Sequence, residues 1–240
     1  MSGHSKWSQI KHKKALTDAK KGKLFSKMAR LISIAAKNKG GDPNANPALR
    51  MSIERARSFN MPIDNIDRAI KRGTGEAEGM KIEEFVLEAY GPGGSALLLE
   101  GTTDNKNRTF SEIKFLLSQH DGKLANPGSV MWLFERQGFI ALKISPAKKE
   151  ETELLAIDAG AQDIKRPDEE TLEIYIRPEK LEKTKKSLEE KNLRPEDASL
   201  VWTPKNEISL EKTQDKERLE KLWEALDDHD DINEIYSNVS

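Results

Sequence analysis

The 240-residue chain contains no cysteine. Disulfide bonds, thiolate metal sites and cysteine nucleophiles are therefore excluded. Apolar residues make up only 36% of the sequence. No apolar run approaches the roughly 20 residues that a membrane-spanning helix needs. This composition favours several small domains with much solvated surface over one large core.

The N-terminus, MSGHSKWSQIKHKK, is polar and rich in lysine. It lacks the apolar stretch of a secretory signal. A mitochondrial transit peptide would favour arginine and serine on an amphipathic helix, whereas lysine dominates here. We therefore expect a cytoplasmic protein of bacterial type with no membrane partner.

Groups that carry catalysis or hold cofactors are scarce. His4 and His12 belong to a basic segment, where neighbouring cations disfavour a bound metal. His229 stands in the run DDHDD, which we interpret as an acidic turn because no glycine-centred loop imitates a calcium site. No GxxxxGK[ST] phosphate loop and no GxSxG nucleophile motif occurs. The sequence thus predicts a protein that is not an enzyme, with no catalytic residue, no metal site and no cofactor.

What the chain has instead is a segregation of charge. Residues 1–79 hold 17 Lys and Arg against 7 Asp and Glu, whereas residues 80–240 hold 23 against 34. Within residues 1–39, Asp18 is the single acid against 11 bases. Solubility alone does not need cations and anions to be separated in this way, so the pattern predicts a polyanionic partner for the basic part. The alternative is that the lysines are merely solvated.

Residues 1–79 are predicted to form a three-helix bundle preceded by a basic arm. Apolar residues recur at helical spacing in three segments, which are about 19–38, 46–59 and 62–73. In the second segment, Asn46 is suited to be the N-cap and Pro47 the first helical residue. In the third, we expect Ile63 to face the bundle interior. The run GTGEAEGM at 73–80 is typical of a linker.

The remainder predicts two domains of mixed helix and strand. Between Phe139 and Trp202 the order of elements is βαββαβ, the ferredoxin-like pattern. The preceding segment, which includes a strand predicted at Val130–Glu135, has too few helices to cover its sheet. We infer that a helix and a strand near the C-terminus return to complete it. The predicted fold class is therefore α+β with three domains, the third inserted in the second: 1–79, 80–135 together with 205–240, and 136–204.

The polar run TTDNKNRT at 102–109 contains more hydrogen-bonding groups than a helix cap requires. Asn105 or Asn107 is suited to cap the following helix, and this is the interpretation we favour. The alternative is a polar contact site for RNA or another protein.

The basic arm and the polar faces of the three helices form the predicted nucleic-acid-binding surface. Lysines are point charges suited to phosphate contact, and the release of condensed counterions drives such binding. Trp7 is suited either to stack on an exposed RNA base or to pack on the bundle. No helix-turn-helix pattern with a clear recognition helix is evident. The predicted residues are His4, Lys6, Trp7, Lys11, His12, Lys13, Lys14, Lys20, Lys21, Lys23, Lys27, Arg30, Arg50, Arg57, Arg68, Lys71 and Arg72.

The chain contains several long and unusual motifs. They include GHSKWSQIKHKKALTDAKKGKLFSKMARLI near the N-terminus, NMPIDNIDRAIKRGTGE, YGPGG, TDNKNRT and GSVMWLF. These motifs resemble those of the YebC/PmpR family, and the resemblance covers essentially the whole chain. The resemblance implies a three-domain fold and two roles. Some members look able to bind promoter DNA as transcriptional regulators, and others act on the ribosome as translational activators that ease synthesis of stretches such as proline runs. The implied partner is therefore DNA or ribosomal RNA, with the ribosome itself as the larger target.

Overall fold

The computed structural model describes residues 18–76, 82–145 and 149–240. The helices are α1 (Asp18–Lys39), α2 (Pro47–Ser58), α3 (Ile63–Thr74), α4 (Lys106–Gln119), α5 (Lys149–Asp158), α6 (Leu181–Glu190) and α7 (Thr213–Asp227). The strands are β1 (Glu83–Tyr90), β2 (Ala96–Thr103), β3 (Lys123–Leu124), β4 (Phe134–Lys143), β5 (Asp163–Lys165), β6 (Thr171–Ile176), β7 (Pro195–Pro204) and β8 (Ile232–Ser237). Arg136–Trp202 forms one compact unit, and Thr203–Ser240 with the described part of Met1–Glu135 forms the other. Among the described residues, no helix combines the length and apolar character needed to cross a membrane.

Helices α1, α2 and α3 pack around one apolar core, whose members include Leu24, Met28, Ile32, Leu49, Ile53 and Ile66. Asn46 begins α2 as predicted, because its side chain accepts a hydrogen bond from the Leu49 backbone N–H at 3.1 Å. The amide group of the same side chain donates to the carbonyl oxygens of Ala35 and Gly40, each at 2.8 Å. Asn46 therefore joins the end of α1 to the start of α2.

Helix α3 differs from the sequence prediction at both ends. Ile63 was expected to face the interior but is 62% exposed. Residue spacing predicts on which side of a helix a side chain lies. It does not predict how far the neighbouring helices extend, so a residue at the end of a helix can remain exposed. The helix also continues past Gly73, where an added Cβ would lie 2.2 Å from the carbonyl oxygen of Ser33 on α1. Gly75, with a φ of +81°, ends the helix, and residues 77–80 of the predicted linker lie outside the described residues.

The first sheet has the strand order β3-β1-β2-β8. Strand β1 pairs antiparallel with β2 and β3, and β2 pairs antiparallel with β8. Helices α4 and α7 share its core, which includes Phe85, Leu97, Leu99, Ile113, Leu117, Leu219, Leu222 and Ile235. The register places Leu98 of β2 opposite Tyr236 of β8. This pairing confirms that a C-terminal strand returns to complete the sheet.

The second sheet has the strand order β5-β6-β4-β7. Strand β6 pairs antiparallel with both β4 and β5. Together with the chain order β4-α5-β5-β6-α6-β7, this is the split βαβ arrangement of ferredoxin-like domains. The mixed α and β fold with a ferredoxin-like segment is therefore confirmed.

The strand predicted at Val130–Glu135 is wrong over its first four residues. A 3-10 turn occupies Met131–Leu133, and β4 begins only at Phe134. The cause is Glu88, a buried residue of β1 whose carboxylate accepts three backbone hydrogen bonds from this segment. The donors are the N–H groups of Gly128, Val130 and Met131, at 2.5, 2.5 and 2.7 Å. Because these groups bond to a side chain, they do not pair with another strand.

Candidate nucleic-acid interface

The residues predicted to contact nucleic acid are partly beyond what the structure describes. His4, Lys6, Trp7, Lys11, His12, Lys13 and Lys14 lie outside the described residues. Lys20 lies on α1, but its side chain is likewise outside the described part. The other predicted residues lie on α1, α2 and α3. Some are exposed, some contact the rest of the chain, and Lys23 does both.

The exposed group is most concentrated on α3. Arg68, Lys71 and Arg72 are exposed and lie three and four residues apart, so they share one side of the helix. We call these three residues the α3 cationic face. Arg68 donates to the Asp64 carbonyl oxygen and to the Asn65 side chain, which orients its guanidinium along the helix. Lys21, Lys23 and Arg57 are also exposed, whereas Arg50 is half-buried and donates to the Pro43 carbonyl oxygen at 3.1 Å.

The second group contacts an acidic segment, Asp227–Glu234, which joins α7 to β8. Lys27 is only 5% exposed, and its Nζ donates to the Asp227 carbonyl oxygen at 2.7 Å. Burial lowers the pKa of Lys27, although the nearby carboxylates of Asp227 and Glu234 oppose that effect. Lys23 donates to the Asp228 carbonyl oxygen at 3.1 Å. The expectation that Lys27 lies on the solvated polar face of α1 is therefore wrong, because the anion it faces belongs to the same chain.

Asp231 is the centre of this contact, and its side chain is 3% exposed. Arg30, which was also predicted to face nucleic acid, pairs with Asp231 instead at 2.6 Å. Arg108 pairs with the other carboxylate oxygen at 2.7 Å, and the Thr109 hydroxyl donates to that oxygen at 2.6 Å. Burial by itself would raise the pKa of Asp231, but the hydrogen bonds from Thr109, Arg108 and Arg30 outweigh it and lower the pKa. We call Asp231, Arg30, Arg108 and Thr109 the Asp231 cluster.

The cluster explains the polar run at 102–109. The Asn105 side chain accepts from the Arg108 backbone N–H at 3.1 Å, so the helix-cap interpretation is confirmed. Thr103 accepts a hydrogen bond from the Asn105 backbone N–H and lies 2.6 Å from the Thr109 hydroxyl. Several further polar groups of the run therefore serve to hold Asp231, which the sequence interpretation did not foresee.

His229 lies beside the Asp231 cluster in the acidic turn. Its Nδ1 accepts from the Asp231 backbone N–H at 3.1 Å, and its Nε2 lies 3.1 Å from a carboxylate oxygen of Glu112. The three side chains bring potential metal ligands within 4.8 Å of one another. However, the two guanidiniums paired with Asp231 would repel a bound cation. The arrangement is better suited to bracing the turn than to holding a metal.

Sequence reasoning missed Arg55, which also joins the helical bundle to the acidic segment. Arg55 pairs with Glu234 at 2.7 Å, and both side chains are largely buried. Lys37 in the last turn of α1 was missed as well, and it donates to the Ile82 carbonyl oxygen at 3.1 Å. The acidic run could have indicated these contacts, because an acidic run and a basic module in one chain can form ion pairs with each other.

Comparison with known proteins finds relatives that cover nearly the whole chain. A family model described as the TACO1/YebC protein N-terminal domain matches residues 5–76, and one described as the TACO1/YebC second and third domain matches residues 82–239. A "Probable transcriptional regulatory protein" from Halothermothrix orenii is 48% identical over 240 residues, covering 99% of this chain and 94% of the relative. Another of that name, from Thermosipho melanesiensis, is 48% identical over 239 residues, covering 99% and 93%. The crystal structure of a conserved hypothetical protein, Aq1575, from Aquifex aeolicus has a TM-score of 0.89 at 42% identity, covering 98% of this chain and 96% of that one. The expected relationship is thus confirmed, and the chain belongs to the TACO1/YebC family.

Proposed function

We propose that this protein regulates gene expression by binding nucleic acid through its basic helical module. The observation that carries the proposal is the α3 cationic face, which stays exposed while Lys27, Arg30 and Arg55 are occupied by the acidic segment. The relatives from Halothermothrix orenii and Thermosipho melanesiensis are named as transcriptional regulators, which supports a role in gene expression. The lysine-rich sequence before α1 would extend the same surface.

The arrangement of charge along α3 favours contact with phosphates over readout of bases. In helix-turn-helix proteins, residues near the start of the recognition helix contact base edges in the major groove. Here Asp64 and Asp67 are exposed near the start of α3, where they would repel the phosphates that flank a groove. The cations come later in the helix. A partner recognised by its backbone, such as ribosomal RNA, fits this pattern best, so we place the protein on the ribosome as a translation factor.

Co-sedimentation with ribosomes tests this proposal. We expect Lys11→Glu/Lys13→Glu/Lys14→Glu and Arg68→Glu/Lys71→Glu/Arg72→Glu each to abolish co-sedimentation, because each change reverses three charges on the predicted surface. The matched control is Lys212→Glu/Lys216→Glu/Lys221→Glu, which makes the same change in net charge at exposed residues around α7. This control should sediment like the wild type. Unchanged sedimentation of the two test variants would contradict the proposal.

The same variants should alter the salt dependence of RNA binding. If about six cations contact phosphates, log affinity should fall with log salt at a slope of about −4 to −5. Reversal of the α3 cationic face should make that slope shallower by about 2 to 3. A flat response of the wild type would rule out phosphate contact.

A second candidate function is sequence-specific transcriptional regulation, which the relatives' printed names favour. Gel-shift titration on promoter DNA against a scrambled duplex of equal length tests it. A sequence-specific regulator should prefer the promoter by roughly 10³-fold or more. Because we infer backbone contact, we expect a ratio near one. A large ratio would replace the ribosomal proposal with the transcriptional one.

A further inference from the structure

Two aromatic side chains, one at the end of β1 and one in the 3-10 turn before β4, converge on a single backbone oxygen. The Trp132 indole N–H donates to the Ser129 carbonyl oxygen at 2.9 Å, and the Tyr90 hydroxyl donates to the same oxygen at 3.2 Å. Tyr90 is half-buried at the end of β1, whereas Trp132 is 64% exposed in the 3-10 turn before β4. The polar end of each ring is thus bonded within the protein. What Trp132 offers to solvent is its aromatic surface.

The backbone of the segment that carries Trp132 is fixed by hydrogen bonds to Glu88. The Glu88 carboxylate receives the backbone N–H groups of Gly128, Val130 and Met131, and Val130 is fully buried. Burial by itself would raise the pKa of Glu88, but these three hydrogen bonds outweigh it and lower the pKa. The carboxylate therefore stays charged and bonded at neutral pH. An exposed indole on so fixed a backbone loses little conformational freedom when a ligand binds.

One lysine lies beside the Tyr90 ring, and another contacts the backbone of Trp132. The Nζ of Lys123 is 5.7 Å from the centre of the Tyr90 ring. The Nζ of Lys205 donates to the Trp132 carbonyl oxygen at 2.8 Å, and Lys205 itself is exposed. An exposed aromatic ring with cations nearby is a combination that binds single-stranded nucleic acid, since bases stack on the ring and phosphates contact the cations.

We propose that Tyr90, Trp132, Lys123 and Lys205 form a second nucleic-acid contact, in which Trp132 stacks on a base of a single strand. The inference rests on the proposed function, because it assumes a nucleic-acid partner, but it adds a site in the αβ part of the chain. A peptide is the other ligand that an exposed tryptophan could bind. An indole that holds a peptide commonly gives its N–H to a peptide carbonyl, and here Ser129 already accepts that hydrogen bond. The geometry therefore favours stacking on a base.

Fluorescence anisotropy with labelled oligonucleotides tests the site in the full chain. The probes are a 12-nucleotide oligouridine, an abasic strand of equal length and a 12-base-pair RNA duplex. Trp132→Ala should weaken oligouridine binding about 5- to 100-fold, the range found for removal of one stacking ring, and should leave the abasic strand and the duplex unaffected. Trp132→Phe should retain binding within about threefold, because phenylalanine still presents a ring. The matched control is Phe115→Ala, which removes another exposed aromatic, 59% exposed on α4.

The outcomes separate this inference from the proposed function. Equal weakening of oligouridine binding by Trp132→Ala and Phe115→Ala would overturn the inference, as would no weakening by either. Loss of binding to an oligoproline peptide in Trp132→Ala, with oligouridine binding unchanged, would assign the site to a peptide and also overturn it. A wild-type protein that binds none of the three nucleic acids would contradict both proposals. Oligouridine binding that Trp132→Ala leaves unchanged, with binding of the duplex and the abasic strand retained, would leave only the proposed function standing.

Discussion

Replacing Asp231 with alanine should lower the free energy of unfolding by about 2–4 kcal/mol, because it removes the anion from a buried ion pair and leaves its partners behind. Arg30, Arg108 and the Thr109 hydroxyl would each lose a hydrogen bond of 2.6–2.7 Å. Arg108 is partly exposed and can be rehydrated, so we expect a loss below the largest measured for buried pairs. Urea denaturation at neutral pH provides the measurement.

Asp230→Ala is the matched control for this change. Asp230 adjoins Asp231 but has an exposed side chain, so the control should alter stability by no more than about 0.5 kcal/mol. Combining Arg30→Ala with Asp231→Ala should give less than the sum of the separate losses, because the two residues form one interaction. Strict additivity, or similar losses for Asp230→Ala and Asp231→Ala, would show that the cluster does not hold the bundle to the sheet.

The stabilisation by Asp231 should also depend on pH in a defined direction. Its pKa is lowered in the folded state, so the contribution is present above the ordinary value of 3.8 and is lost as pH falls below it. The wild type should therefore lose stability on acidification more steeply than Asp231→Ala does. The difference between the two curves isolates the carboxylate from the other acids of the chain.

Much of the fold follows from local patterns in the sequence. Asn46 before Pro47 marks the start of α2 because capping is a property of a few consecutive residues. The βαββαβ order of the second sheet follows in the same way from the alternation of periods along the chain. Glycine was less reliable as a marker of helix ends. Gly73 lies within α3 at a close contact with α1, and Gly75 is the residue that ends the helix.

The candidate site was harder to predict, because charge patterns do not reveal where the opposite charge lies. Lys27 and Arg30 meet residues 200 or more positions away in the sequence. No local property distinguishes them from Arg68 and Lys71, which stay exposed. Trp132 posed the opposite problem, since it lies within a segment that was predicted to be a strand. Its exposure depends on Glu88, 44 positions earlier, and no spacing rule connects the two residues.

Only part of the positive charge of the basic module is available to a nucleic acid. Part of its charge is neutralised by the acidic segment Asp227–Glu234, so the net charge of residues 1–79 overstates what a nucleic acid would meet. Among the described residues, three exposed cations lie together towards the end of α3. The internal ion pairs bind the bundle to the first sheet and thereby orient that face. A cation that contacts the acidic segment should matter for stability, and one on the α3 cationic face for binding.

Glu173→Gln should stabilise the ferredoxin-like unit at pH 8 by up to about 3 kcal/mol and have little effect at pH 4.5. Glu173 lies on β6 with 3% exposure, and the Tyr175 hydroxyl donates to its carboxylate at 3.0 Å. Burial raises its pKa to about 7, with Lys165 opposing the rise and Asp168 adding to it. The folded unit therefore favours the uncharged carboxyl, and stability falls as pH rises from the ordinary value of 4.5 to about 7. Glutamine is uncharged at every pH and escapes that loss.

Hydrogen exchange of the β6 amides, followed by mass spectrometry across pH, measures this effect in the full chain without interference from the first sheet. Exchange must be corrected for its intrinsic pH dependence, so the informative quantity is the protection of Glu173→Gln relative to wild type. That ratio should rise between pH 5 and 8 and then level off. Glu170→Gln is the matched control, because Glu170 is exposed beside Lys143, and its ratio should stay near one. A flat ratio for Glu173→Gln would mean that the buried carboxylate is charged throughout and that its neighbours, Lys165 above all, offset the cost of burial.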